Sequence, residues 1–344
     1  MNHGNSMNGR VITFGESLLR LSPPNHRRWR QTQVFESFFG GAEANVAVSL
    51  ACFGVPVQHV TCLPDNDLGV ACLQSLRQYG VGTDFIHFSG ERLGLYFLEN
   101  GSGMRPSRVL YDRAHSSFAT MDEDAISWSR VFAQGGWFHW SGINPAISAV
   151  AAKATAKAVE SARDNDLIIS CDLNYRHSLW QWGASPTSIM PGLVEQCDVL
   201  VANTASLMLG LPDLPAGRNP DEAGEVLSRL SGRYPQLKQI AMTCRETTSA
   251  ENPQYTGVLW HAGHHYSSPT YVLNHIVDRV GAGDAFMAGL IYGLLSYPED
   301  PQRIVDFATA CAAIKHSIPG DANIANIEEI AQLLASRKGF DIIR

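Results

Sequence analysis

Short apolar runs alternate with longer stretches of helical period along most of this chain. Val11–Phe14, Val57–Cys62, Gly136–Trp140, Leu167–Asp172, Val199–Ala202 and Gln239–Thr243 have the length and apolar character of buried strands. Between and after them the spacing predicts helices over Val46–Phe53, stopped by Gly54, and over Asp67–Tyr79, closed by Gly80. Further helices are predicted over Ala146–Arg163, Glu222–Tyr234, Ala285–Leu295, Gln302–His316 and Ile327–Ser336. This alternation predicts an α/β protein with a three-layer α/β/α build and a mostly parallel central sheet. Two stretches break the rhythm. Ser17–Phe39 has no helical period, and Leu93–Leu98 and Arg108–Tyr111 are strand-like about the hairpin signal Asn100-Gly101-Ser102-Gly103. Together, about 17–39 and 93–113 are expected to form a small β sheet standing off the main domain. Gly257–Trp260 and His265–Ser267 are expected to pair as a late hairpin. The expected domain spans 11–338, after a disordered polar tail of residues 1–10.

Ligands of such sheets bind beyond the carboxyl ends of the strands. Gly15-Glu16, Asp172 to Arg176, Asn203 and the turn Asp278–Asp284 all follow strand ends and are expected to share one crevice. The turn reads Asp278-Arg279-Val280-Gly281-Ala282-Gly283-Asp284, and a small-residue helix follows it. Glycines let backbone N–H groups turn toward a ligand, and a helix N-terminus adds unpaired donors and partial positive charge. That favours phosphate. A carboxylate beside a phosphate makes sense if Asp284 accepts the proton of a hydroxyl that attacks it, with Gly281, Ala282 and Gly283 donating to the developing charge. Asp at a helix start also serves for capping alone.

Composition narrows the class. With 344 residues, 45% hydrophobic and 17% charged, the chain has the makings of a globular protein with a sizeable core. No apolar run reaches membrane-spanning length, and Met1–Arg10 has no apolar core of a secretory signal. Seven cysteines without a C-x-x-C pair fit reduced thiols in a cytosol. A net charge of −7 without a basic run argues against nucleic acid, so an anionic ligand must be met by local arginines and helix ends.

The chain resembles the ribokinase-type family of carbohydrate kinases over nearly its whole length. The stretch Asp278–Asp284 is similar to the family's C-terminal signature, and Gly40-Gly41-Ala42-Glu43-Ala44-Asn45-Val46-Ala47 to its N-terminal one. Three further stretches resemble the branch that acts on keto-deoxy sugar acids: Gly15 to Pro24, Tyr111-Asp112-Arg113, and Asp172 to Trp180. The resemblance implies a ribokinase-like fold with a small β lid, ATP as donor, Mg²⁺, and transfer to the 6-hydroxyl of 2-keto-3-deoxygluconate. It leaves open the galactonate epimer and monovalent-cation activation. In such kinases the lid often also serves as a dimer surface.

On this resemblance Gly40, Gly41 and Asn45 are expected to touch the sugar, Asn45 with both a donor and an acceptor. Arg113 and Arg176 are expected to bind the acceptor's carboxylate, which matches a guanidinium fork. The bland alternatives are a surface arginine or a lid salt bridge such as Arg113 with Asp112. Tyr96 and Tyr111 would add stacking or hydroxyl contacts, or simply pack the lid. Thr243, Arg245, Asn203, Gly281, Gly283 and the segment Cys311–Lys315 are expected to wall the nucleotide.

Three departures from the family pattern stand out. Ser206 occupies the position where a Glu commonly organises water around Mg²⁺, which leaves metal binding to other groups or to water held by Asn203. Arg279 replaces a Thr. Arg245-Glu246 and the insertion Thr247–Tyr255 stand where a Gly is common.

His261, His264 and His265 suggest zinc, but lie on one expected hairpin without a second ligand cluster. The chain has no G-x-x-x-x-G-K-[ST], G-x-G-x-x-G or G-x-S-x-G. The competing readings are a fructokinase or other ketose kinase, separated by the arginine pair, and a catalytically silent sugar-acid binder, kept alive by Ser206 and Arg279.

Overall fold

The structure, a computed structural model, describes residues 9–246 and 253–335. Residues 1–8 of the expected tail and 247–252 of the insertion lie outside these. Gly9 and Arg10 are described, and Arg10 already begins the first strand. The strands are β1 (Arg10–Phe14), β2 (Leu18–Ser22), β3 (Glu36–Gly40), β4 (Val57–Val60), β5 (Cys62–Leu63), β6 (His87–Phe88), β7 (Gly94–Glu99) and β8 (Arg108–Asp112). They continue with β9 (Gly135–Ser141), β10 (Ile168–Asp172), β11 (Val199–Val201), β12 (Gln239–Glu246), β13 (Gln254–His261), β14 (His264–Ser267) and β15 (Tyr271–Val272).

The main sheet runs β14-β13-β12-β11-β10-β9-β1-β4, with β15 on β13. From β4 to β12 every pairing is parallel; β13 and β14 close the sheet antiparallel as the expected hairpin. Alternate residues of one strand enter opposite cores. Phe138 and Trp140 pack with Phe14, Ile169 and the helix Ala149–Asp164 on one face. Trp137 packs with Val11, Val199 and the helices Ala282–Ser296 and Pro301–Lys315 on the other. This period of two, with both faces apolar, is what makes the parallel strands read as continuous hydrophobic runs.

The second sheet runs β3-β2-β7-β8. It is mixed: β2 pairs antiparallel with β3 but parallel with β7, and β7 pairs antiparallel with β8. One of its faces carries Leu18, Tyr96 and Leu98 against Tyr111 and Val280, so this face looks onto the turn before Gly281.

Several boundaries differ from those expected. The run Val57–Cys62 divides, because Cys62-Leu63 leaves the main sheet to pair with β6. The run Ala146–Arg163 divides at Ser148, which is extended (φ −161°) and whose hydroxyl accepts from Ala151 N. A capping serine starts a new helix here, and composition alone hides it. The first helix spans Ala42–Cys52 and begins four residues before Val46, because Gly41 at φ 143° supplies its start. The Ala285–Leu295 prediction likewise becomes Ala282–Ser296. Short helices beyond those expected span Trp128–Phe132, Pro186–Val194 and Ala205–Met208.

Candidate active site

Beyond the carboxyl ends of β1, β10, β11 and β12, and beneath the small sheet, lies a cavity of about 890 Å³. Its floor is the start of the Ala282–Ser296 helix. Gly281 sits at φ 79°, in the left-handed region, and a Cβ there would overlap the Asp321 carbonyl oxygen. Only glycine fits both demands. The first helical bond runs from Ala285 N to Gly281 O at 2.8 Å. The N–H groups of Ala282, Gly283 and Asp284 therefore have no acceptor within the helix, which is the donor set an anion needs. A Cβ on Gly283 would meet only Asp172 Oδ2, at 4.0 Å, so its missing side chain leaves open space at the helix start.

Asp284 lies in that first turn, 9% exposed. Its Oδ2 accepts from Asn45 Nδ2 at 2.7 Å. Burial is the main cause that lifts its pKa to about 8; the Asn45 hydrogen bond opposes the rise, Asp172 and Glu43 add to it, and Arg176 again opposes it. Asp172 ends β10 and is lifted to about 6 by burial, against the pull of Arg176. Glu43 is lifted to about 7 by burial, although its Oε1 accepts from Ser141 N at 2.8 Å. Three carboxyl groups thus crowd one end of the cavity at graded acidities.

The residues expected to touch the sugar divide. Gly40 does not line the cavity and closes against the Asp321 side chain, whereas Gly41 lines it and closes against the Glu16 carbonyl. Tyr111 lines the cavity. Tyr96 lines it too, but its hydroxyl donates to Asp321 Oδ2. Asn45 lines the cavity and gives one of its two amide N–H groups to Asp284.

Arg113 is 6% exposed, and its Nε donates to Glu16 Oε2 at 2.7 Å, with Nη2 on the same oxygen. The expected alternative partner, Asp112, instead pairs with Arg92 at 2.9 Å. Arg176 is exposed, donates to Tyr175 O at 3.1 Å and lines the cavity. The two arginines therefore differ: Arg113 is already engaged, and Arg176 faces the opening.

At the other end, Asn203 does not hold out its side chain for water. Its Oδ1 accepts from Thr243 N at 3.1 Å, and its Nδ2 donates to Thr243 O at 2.8 Å. It clamps the end of β11 to β12. Arg245 lines the cavity with its guanidinium 5.5 Å from the Tyr255 ring centroid. Exposed Arg218 and Arg279 line it as well. These arginines make the opening basic in a chain of net charge −7.

The Cys311–Lys315 segment is a correction. Cys311 is buried against Gly289, and Lys315 is fully buried, donating to Ile318 O at 3.0 Å behind the Gly281 turn. Neither lines the cavity. A small residue at 311 and a lysine at 315 on a helix read equally as wall or as core, and packing against the Ala282–Ser296 helix decided it.

Of the three carboxyl groups, Asp172 is the one placed to hold a divalent cation beside the helix start. Among the described residues no three His, Cys, Asp or Glu side chains form a metal-holding group. Asp172 Oδ1 accepts from Asn174 N at 3.1 Å, and Oδ2 faces the space beside Gly283. One carboxylate beside a phosphate site suits Mg²⁺, which keeps its waters and takes phosphate oxygens. Ser206 is not among the cavity residues. Among the histidines, His261 Nδ1 lies 3.2 Å from Gln239 Nε2, and His265 Nε2 lies 3.1 Å from Ser228 Oγ.

Sequence reasoning passed over Arg20, Glu43, Asp278 as an ion-pair partner, and Asp321. Glu43 sits inside the N-terminal signature and could have been flagged as a carboxylate in an apolar helix. Asp321 carries no local signal.

The profile of the pfkB family carbohydrate kinases matches residues 8–250 and 253–327. The structure of a 2-dehydro-3-deoxygluconokinase from Thermotoga maritima is 39% identical, covers 96% of this chain and 99% of that one, and superposes with a TM-score of 0.90. A 2-dehydro-3-deoxygalactonokinase of Haloferax volcanii is 29% identical over 329 residues, 95% of this chain and 97% of that enzyme. A 2-dehydro-3-deoxygluconokinase of Thermoproteus tenax is 26% identical over 316 residues, 90% of this chain and 89% of that enzyme. With the ribokinase-like α/β architecture and a cavity that joins both glycine signatures, these likenesses establish that the chain belongs to the pfkB family of carbohydrate kinases.

Proposed function

We propose that this kinase transfers the γ-phosphoryl group of ATP, with Mg²⁺, to the 6-hydroxyl of a 2-keto-3-deoxy sugar acid, 2-keto-3-deoxygluconate first. The observation that carries the reading is the placement of Asp284. It is a buried carboxyl group in the first turn of a helix whose free N–H groups face the same cavity. Asp284 accepts the proton of the attacking hydroxyl. The N–H groups of Gly281, Ala282 and Gly283 stabilise charge on the transferring group where it develops, at the helix's positive end. Asn45 orients the Asp284 carboxylate and favours its charged form. Asp172 would hold Mg²⁺, which when bound neutralises phosphate charge. Arg218, Arg245 and Arg279 draw the triphosphate to the opening.

Arg176 supplies the acid end of the pocket, the feature that distinguishes a sugar acid from a neutral ketose. The relatives named for keto-deoxy acids support this choice. Because Glu16 engages Arg113, a second reading, a neutral ketose as acceptor, has an observation in its favour.

An ATP-consumption assay of the purified protein with 2-keto-3-deoxygluconate, its galactonate epimer, fructose and ribose separates them. Turnover confined to the keto-deoxy acids is expected. Turnover on fructose alone would replace the acid reading with the ketose one. Binding of an acid without ATP consumption would leave a silent binder.

A further inference from the structure

The anion-hole turn is anchored to the small sheet through buried charge. Arg20 projects from β2, is 1% exposed, donates to Asp278 Oδ2 at 2.6 Å, and forms a charge pair with Asp321 Oδ1 at 2.9 Å. Its register partners across the sheet are Phe38 and Tyr96. The Phe38 ring centroid lies 4.4 Å from the guanidinium carbon, and the Tyr96 hydroxyl donates to Asp321 Oδ2.

Both residues then touch the turn. Asp278 Oδ1 accepts from Val280 N at 3.0 Å, directly before Gly281, and its Oδ2 accepts from Gly320 N at 3.2 Å. The Asp321 carbonyl lies where a Cβ on Gly281 would be, so this residue packs directly against the left-handed turn and excludes any side chain there. The two residues that touch the turn before the N–H donors are therefore the same two whose carboxylates the small sheet grips, by Arg20 from β2 and Tyr96 from β7.

Desolvation makes this grip stiff. Separating the sheet from the turn would leave two buried carboxylates short of their partners, a state far costlier than an exposed pair would suffer. A guanidinium is suited to the task because its fork spans two carboxylates at once, which a single ammonium cannot reproduce.

We propose that Arg20 is a positioning residue: it couples the seating of the small sheet over the acceptor to the orientation of the anion-hole N–H groups. The coupling rests on the assignment of residues 281–283 as the anion hole. Its benefit falls on the transition state, where charge develops on the transferred group, more than on nucleotide binding.

The test is Arg20→Lys, read by two independent measurements. Native-state amide exchange should show faster exchange at Val280, whose N–H Asp278 holds, by about 10- to 100-fold, the equivalent of one lost charged hydrogen bond. The kcat per folded molecule should fall by about 10- to 100-fold, the range a small misplacement of catalytic groups produces, with KM for ATP changed less than about threefold. A purely structural arginine would lower the melting temperature and leave kcat per folded molecule and the exchange at Val280 as in the parent. That result would overturn the proposal.

Should Arg20→Lys fail to fold, Tyr96→Phe removes the second tie without changing shape. It should raise exchange at Val280 in the same direction, and unchanged exchange there overturns the coupling. Absence of turnover by the parent on every sugar would count against the reading of the site instead, because the exchange measurement needs no substrate.

Discussion

Asn45 and Asp284, 239 residues apart, share a hydrogen bond of 2.7 Å between the amide nitrogen of one and the carboxyl oxygen of the other. The two glycine signatures of the chain thereby meet at the atom proposed to take the proton. Asp284→Asn keeps the shape and an acceptor for Asn45 but removes the base. Its kcat is expected to fall by about 10²–10⁴, the usual worth of a positioned base. Retention of more than half the parent rate in a steady-state assay would rule the role out.

The same carboxyl group sets a pH dependence. Its pKa rises on folding from 3.8 to about 8, mainly through burial. A base must be ionised, so kcat/KM should climb tenfold per pH unit below about 8 and level off above it. Asn45 pulls the value down, so Asn45→Ala should move the rising limb to higher pH. A limb that stays in place when Asn45 is removed would show that another group titrates.

Stability should carry the opposite sign. An acid raised on folding gives up its proton first in the unfolded chain, so native stability is lost as pH climbs from 3.8 toward 8 and the penalty is full above 8. Asp284→Asn has no such penalty. The melting temperature of the variant, relative to the parent, should therefore improve from pH 4 to pH 8 and then stay constant. A difference that does not vary with pH would contradict the buried ionisation.

The two arginines should separate. Arg176→Met removes an exposed cation at the cavity and should raise KM for the sugar acid roughly 10- to 100-fold, as expected for a charged hydrogen bond, with a smaller effect on any neutral sugar. Arg113→Met strands Glu16 in a buried site and should cost stability, on the order of 3–5 kcal/mol. Equal effects of Arg176→Met on acid and neutral acceptors would remove the carboxylate role.

Behind the anion-hole turn, Asp278 and Asp321 are matched by Arg20 and by Lys315, whose burial and whose neighbours Asp278 and Asp321 act on its charge in opposite directions. The chain supplies these positive charges itself. Turnover is expected to be the same within about twofold in potassium, sodium or a bulky organic cation at constant ionic strength, where weak surface effects are held equal. Strong activation by one alkali ion would show a site that these side chains do not fill.

Most of the main sheet was legible from Val11–Phe14 to Gln239–Thr243 because strands buried on both faces are continuous apolar runs, and the small sheet was legible as an interruption of that rhythm. The Gly281–Asp284 turn was legible because left-handed backbone and an N-terminal acid leave a local pattern. Ser148 and Gly41 moved helix boundaries because a cap is decided by one residue's dihedral angles. Lys315, expected at the nucleotide wall from the resemblance alone, lies buried outside the cavity, because a shared pattern does not say what a helix face meets in this chain.

By itself the sequence determined the alternation of strand and helix, the two glycine turns and the acid poised at the second, all of which are local: each depends on the conformational freedom of a few neighbouring residues. The tertiary structure alone decided which charges pair. Arg113 with Glu16, Arg20 with Asp278 and Asp321, and Asn45 with Asp284 join positions 97 to more than 250 residues apart. Ion pairs and pKa shifts depend on distance and burial in space, and neither is written in spacing along the chain.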